Sequence, residues 1–182
     1  MFKPYRFSPV QNKEQLLQAI EHIHFASYKL CKKSLGKYLP NAGNLGFFCH
    51  YDDELELLKR IRDEITEKTD NPELKYFTLL EPITIAAKDD VPETTYTHLY
   101  IRKPDIYRYQ VGDIDFYLES KEYQKLKTDM LNGKEIDGAR VFARPDLDMI
   151  ELFDPDIDVL AYVSTSTMTD KVRIKLSDTT KL

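Results

Sequence analysis

One pattern constrains this chain more than any other, because it occurs twice: a short strand, a helix, and then two or three further strands. The first copy runs from about Asn44 to Lys103 and the second from about Asp113 to Ser164. In the first, the apolar run Leu45 to Cys49 is entered through Gly43 and Gly46, and "YDDELELLKRIRDEIT" then changes period. Its apolar set Leu55, Leu58, Ile61 and Ile65 is helical, with Asp52 or Asp53 placed to cap the exposed backbone amides. "LKYFTLLEPITIAA" is an extended run bent at Pro82, since proline donates no ladder hydrogen bond, and "TYTHLYIRKPD" follows it. In the second copy "DIDFYLES" alternates. "SKEYQKLKTDML" sets Tyr123, Leu126, Met130 and Leu131 on a helical stripe, and "GARVFARP", "DMIELFDPD" and "DVLAYVS" supply three more strands.

The repeat is one of pattern and not of residue identity. A strand, helix and meander bury one face of a curved sheet under the helix, and two such units can pair so that their other faces enclose a space. The expected fold is therefore α+β: two paired strand-helix-strand-strand(-strand) modules in a curved mixed or antiparallel sheet, plus an N-terminal helix. Boundaries follow as 1–43 for the N-terminal arm and helix, 44–112 and 113–165 for the modules, and 166–182 for a polar C-terminal tail. The helix runs from Lys13 to about Leu35 on Leu16, Ile20, Ile23 and Leu30, and is stopped by Gly36 and Pro40.

Alternation in "TYTHLYIRKPD" puts Thr97, Leu99 and Ile101 on one face and His98, Tyr100 and Arg102 on the other. If helices cover the first face, the second is either wet or the lining of a pocket. Tyr100, Arg102, Tyr107, Arg108 and Tyr109 concentrate aromatic and guanidinium groups in one short stretch, and Arg140 and Arg144 share a face of a neighbouring strand. Such groups clamp a carboxylate or phosphate while a ring supports the rest of a ligand. They equally suit the rim of a homodimer interface.

Charge limits the partners. With 26 basic against 31 acidic residues the net charge is −5, without a long block of either sign, which argues against nucleic acid. No stretch is long and apolar enough to cross a bilayer, and "MFKPYRFSPV" carries charges where a signal peptide would be apolar, so a cytoplasmic location without a membrane partner is expected. Cys31 and Cys49 fall in different elements and read as two buried thiols, with one disulfide left open. The chain has no G-x-S-x-G elbow, Walker loop or dinucleotide fingerprint. "DPDID" reads as a proline-set turn rather than a calcium loop.

The doubled β-α-β-β-β order, the strand "GDIDFYL" and the stretch "MIELFDPDID" resemble the vicinal oxygen chelate superfamily, which includes glyoxalases, ring-cleaving dioxygenases and resistance proteins. Its members often carry a "DPDG" turn beside a strand ending in a metal-binding "E-L". Here the glutamate precedes the turn and Ile157 stands in the place of the glycine. The resemblance implies a divalent metal ion held from the inner strand faces, where His50, His98 or Tyr100, Asp115 and Glu151 are the matching positions and His50, His98 and Glu151 the expected ligands. It further implies that Tyr100 or Asp115 moves a proton and that Arg102, with Arg108, Arg140 and Arg144, binds a small anionic molecule. The expected function is a metal-dependent lyase, isomerase or dioxygenase acting on a small acidic, oxygen-rich molecule. The alternative is a non-catalytic small-molecule-binding or dimerisation module of ferredoxin-like α+β type.

Overall fold

The long N-terminal helix, α1 (Lys13–Leu35), begins and ends where the sequence supplies caps: Asn12 Oδ1 accepts the Gln15 amide at 2.9 Å, and Gly36 takes φ 73° with its N–H bonded to the Lys32 carbonyl. The computed structural model describes residues 5–174. After α1 come β1 (Asn41–Phe48), α2 (Asp52–Ile65), β2 (Phe77–Ile85) and β3 (Thr94–Arg102). The second unit follows as β4 (Gly112–Leu118), α3 (Ser120–Leu131), β5 (Ala139–Arg144), β6 (Leu147–Asp154) and β7 (Ile157–Thr165), and α4 (Ser166–Lys171) closes the order.

The strands form one mixed seven-stranded sheet in the order β2-β3-β1-β4-β7-β6-β5. Each module's first strand pairs in parallel with its own last strand, β1 with β3 and β4 with β7, and the two first strands meet antiparallel in the middle. The protein is thus α+β, with the two modules joined through β1 and β4 in one continuous, open sheet. Pro82 sits on the edge strand β2, inside the register shift between Thr78 and Ile83, where its missing N–H costs no interior ladder bond.

One face of the sheet carries the main core. Leu45 and Phe47, Leu99 and Ile101, Ile114 and Phe116, and Ile150 and Leu152 are buried with Leu16, Ile20 and Ile23 of α1 and Leu58 and Ile61 of α2. Strict alternation slips in β3: Tyr96 is buried on this same side, bonded to His24 of α1 at 2.9 Å, although it lies three residues from Leu99. Opposite the slip, Gly43 of β1 holds φ 78°, and a Cβ there would stand 3.0 Å from Thr97 Oγ1.

Several local expectations change. The N-cap of α2 is Tyr51, which makes no side-chain bond to the helix, while Asp52, Asp53 and Glu54 occupy the first turn and complement its dipole. Glu54 is buried and accepts the amides of Val10 and His50 at 2.7 and 2.8 Å, which fastens the N-terminal arm to the helix start. Leu131 ends α3 exposed. The first part of the segment read as a polar tail from 166 forms α4, which Thr165 caps by accepting the Met168 amide, and 175–182 lie outside the described residues. Both cysteines are buried free thiols. No helix among the described residues is long and apolar enough to cross a membrane.

Candidate functional site

The sheet face opposite the main core holds a cavity of about 740 Å³, within the range of pockets that enclose small organic ligands. Its floor is built by alternation. Tyr100 and Arg102 come from β3, Asp113 and Asp115 from β4, Tyr162 from β7 and Glu151 from β6. Lys75 and Tyr76 enter from the segment before β2, because their amides bond the Arg173 carbonyl at 2.8 and 2.9 Å. Arg108 enters from the loop between β3 and β4.

Asp113 and Asp115 lie two apart on one strand and therefore project from the same face. Both are buried, but their surroundings differ. Asp115 Oδ2 accepts a bond from Asn44 Nδ2 at 2.8 Å, and Asn44 is itself oriented by Arg173 Nε at 2.9 Å and by the Thr169 carbonyl at 3.0 Å. Asp113 lies across the bare backbone of Gly46, its partner on β1, where a Cβ would come within 2.1 Å of Oδ1. That Oδ1 is buried and has no hydrogen-bond partner among the described residues.

Electrostatics follow from this contrast. Burial first, and the neighbouring Asp115 charge second, push the Asp113 carboxyl up to about 7 against the pull of Lys75, Arg102 and Arg108. Burial also raises Asp115, but the Asn44 bond favours its charged form, so the negative charge of the pair resides on Asp115 and the proton on Asp113. Burial raises the Tyr100 phenol above its ordinary value, which keeps it a hydrogen-bond donor. Five cationic side chains and four carboxyl groups line the cavity, so with Asp113 protonated the wall is net positive.

The cations are not equivalent. Arg102 is held by Asp105 at 2.9 Å, and Arg108 faces Glu151 at 3.7 Å. Lys75 and Arg144 form no ion pair among the described residues. Lys75 Nζ instead stands 4.9 Å from the Tyr100 ring centre, and the Arg144 guanidinium 5.8 Å from that of Phe142. Glu151 is saturated: Arg140 Nε donates to it at 2.8 Å and the Tyr162 hydroxyl at 3.0 Å.

Of the residues singled out from sequence, Tyr100, Arg102, Arg108, Asp115, Arg144 and Glu151 line this cavity, whereas His50, His98 and Arg140 do not. The expected metal trio of His50, His98 and Glu151 is not assembled. His98 and Glu151 do stand on the same face, but β1, β4 and β7 lie between their strands. One lateral row explains the separation: Glu151 pairs with Tyr162, Tyr162 with Asp115, Asp115 bonds Asn44, and Asn44 pairs with His98. Four strand spacings amount to roughly 19 Å on a flat sheet, far beyond shared ligation.

His98 bonds Thr97 Oγ1 instead, and His50 is bonded to Ser8 at 2.7 Å and stacked on Tyr5 with ring centres 3.8 Å apart. Among the described residues no group of three or more His, Cys, Asp or Glu side chains is arranged to hold a metal ion. Arg140 pairs with Glu151 across β5 and β6 and does not line the cavity. Asp113 is not among the residues singled out from sequence, although the same alternation that selects Asp115 selects it too. The sequence had no signal at all for Lys75 or Asn44.

No protein-family model and no curated protein matches the sequence. A solved structural-genomics structure, protein EC4020, matches with a TM-score of 0.59 over 95% of this chain and 96% of its own, at 15% identity. This likeness shows a shared fold. Weaker matches reach proteins of other descriptions. A glyoxalase/bleomycin resistance protein/dioxygenase superfamily member from Vibrio splendidus 12B01 matches at a TM-score of 0.32 and 10% identity, over 65% of this chain and 93% of that one. A Streptomyces coelicolor methylmalonyl-CoA epimerase variant in complex with 2-nitronate-propionyl-CoA matches at 0.31 and 15%, over 69% and 98%.

Proposed function

We propose that the protein is an isomerase-type enzyme that moves a proton on a small organic anion, with Asp113 as general base and then general acid. The observation that carries this reading is the unpartnered, buried Asp113 carboxyl, held near neutrality beside a charged Asp115 in a cationic cavity. Ionised Asp113 takes a hydrogen from the carbon next to a substrate carbonyl. The C–H electron pair moves into the carbonyl, which becomes an enolate, and the proton resides on Asp113. Return of the proton by Asp113 to a neighbouring atom on the same face of the enolate regenerates the Asp113 carboxylate with no net change in atoms.

The remaining residues have definable parts. Lys75 and the Tyr100 hydroxyl offer positive charge and a hydrogen bond to the enolate oxygen. Arg144 and Arg102 hold the substrate's own anionic group. Asp115, kept ionised by Asn44, maintains the proton affinity of Asp113. No step uses a divalent metal, because the histidines expected to hold one stand outside the cavity wall.

The test is proton exchange. A panel of short 2-substituted carboxylates and their esters, incubated with the protein in deuterium oxide, should acquire deuterium at the acidic carbon of at least one member. Asp113→Asn should slow that exchange by about 10²- to 10⁴-fold. Equal exchange by both proteins would overturn the assignment of Asp113, and binding without any exchange would favour the non-catalytic binding module.

A further inference from the structure

We infer that the substrate is an amphipathic anion, a carboxylate joined to an apolar group, and not a hydroxyl-rich acid. This rests on the proposed role of the cavity and goes beyond it to the chemistry of what fits inside.

Two observations carry the inference. The first is a second apolar cluster, separate from the main core: Tyr76, Met149 and Val172 are buried, and Tyr100, Phe142 and Leu147 pack against them. All six line the cavity. Tyr76, Met149 and Val172 are already covered by the protein, so the apolar surface left for a ligand is that of the half-buried Tyr100, Phe142 and Leu147. At the mouth, Ile106 is 88% exposed, an apolar side chain available to close over such a body.

The second observation concerns which residue types line the wall. Among the described residues the lining contains no Ser, Thr, Asn, Gln or His side chain. Ligand hydroxyls donate to carboxylates as readily as to neutral groups, but three of the four carboxyls here are already engaged, Glu151 by Arg140 and Tyr162, Asp105 by Arg102 and Asp115 by Asn44. Of the tyrosines, Tyr162 already donates to Glu151. Three lining cations, Lys75, Lys103 and Arg144, form no ion pair among the described residues, and Lys75 and Arg144 each stand beside an aromatic ring. A cation beside an apolar surface is complementary to a charged head on an apolar body.

Titration calorimetry with straight-chain carboxylates from acetate to octanoate, the matching alcohols, and gluconate tests this on the whole chain. Affinity should rise about fourfold for each added methylene, the equivalent of ~0.8 kcal/mol, until the cavity is full. Gluconate and the alcohols should bind far more weakly than hexanoate. Arg144→Ala should weaken every carboxylate by about tenfold or more without changing the chain-length dependence. Phe142→Ser should flatten that dependence, and the exposed Ile106→Ser provides the same readout if Phe142→Ser does not fold.

Gluconate binding as tightly as hexanoate, or affinity independent of chain length, would overturn the substrate class. The outcomes separate cleanly from the proton-transfer reading, because none of these titrations requires turnover. Chain-length independence with Asp113-dependent deuterium exchange intact rejects the amphipathic substrate alone, and steep dependence without exchange rejects the acid–base role alone.

Discussion

Replacing Asp113 by asparagine should make the protein more stable, and only above a certain pH. The folded-state carboxyl is raised from 3.8 to about 7, chiefly by burial, so between those values the folded chain holds a proton that the unfolded chain has released. Stability contributed by this group is fully present below 3.8 and is lost as pH rises through about 7. A shift of about three units at ~1.36 kcal/mol each amounts to ~4 kcal/mol by the time Asp113 is ionised. Asparagine keeps the shape and removes the charge. The variant should therefore match the wild type near about pH 4 and exceed it by up to ~4 kcal/mol near about pH 8.

A residual slope should persist in the variant, because burial raises Asp115 as well. Urea unfolding followed by circular dichroism across that range, with the slope m checked for constancy, measures the difference directly. Parallel pH profiles for the two proteins, or a variant less stable than the wild type at the alkaline end, would refute the electrostatic account of the cavity floor. A residue that costs stability where it stands is explicable if it serves the chemistry.

Other perturbations address the neighbouring parts. Gly46→Ala puts a methyl group within 2.1 Å of Asp113 Oδ1, and should cost ~1–3 kcal/mol in a denaturant melt while depressing deuterium exchange, because the carboxyl must move. Arg140→Ala leaves Glu151, 1% exposed, with only the Tyr162 hydroxyl and a distant Arg108, and should lose about 3 kcal/mol. Arg144→Ala should change stability by less than ~0.5 kcal/mol, and a large loss in that melt would make it structural. Leu58→Ala, at a fully buried position of α2, should cost ~2–5 kcal/mol, and a change within experimental error would contradict the packing described. Manganese, iron(II), nickel or zinc should shift the melting temperature of wild type and His98→Ala alike, since His98 and Glu151 do not share a site; a shift seen only in the wild type would restore the metal trio.

Alternation and helical period, both local properties, were legible in the residues themselves. They placed Leu58 and Ile61 in the core, sorted Ile150 and Leu152 from Glu151, and put Tyr100, Arg102 and Asp115 on the face that carries the cavity. They could have selected Asp113 by the same rule. What a period of two cannot supply is lateral distance. His98 and Glu151 were correctly assigned to one face, yet their separation depends on strand order, which places β1, β4 and β7 between them.

Tertiary structure also decided the state of each acid. The sequence contains two aspartates in "DID", but Asn44 arrives beside only one of them, and Gly46 leaves a gap under the other. Lys75 reaches the cavity through backbone bonds to Arg173, a contact between segments far apart in the chain. Outside the slip in β3, the chain's local periodicity thus determined which side a residue faces, whereas register and strand order, fixed by hydrogen bonding across the whole sheet, determined which residues meet there and which carboxyl keeps its proton.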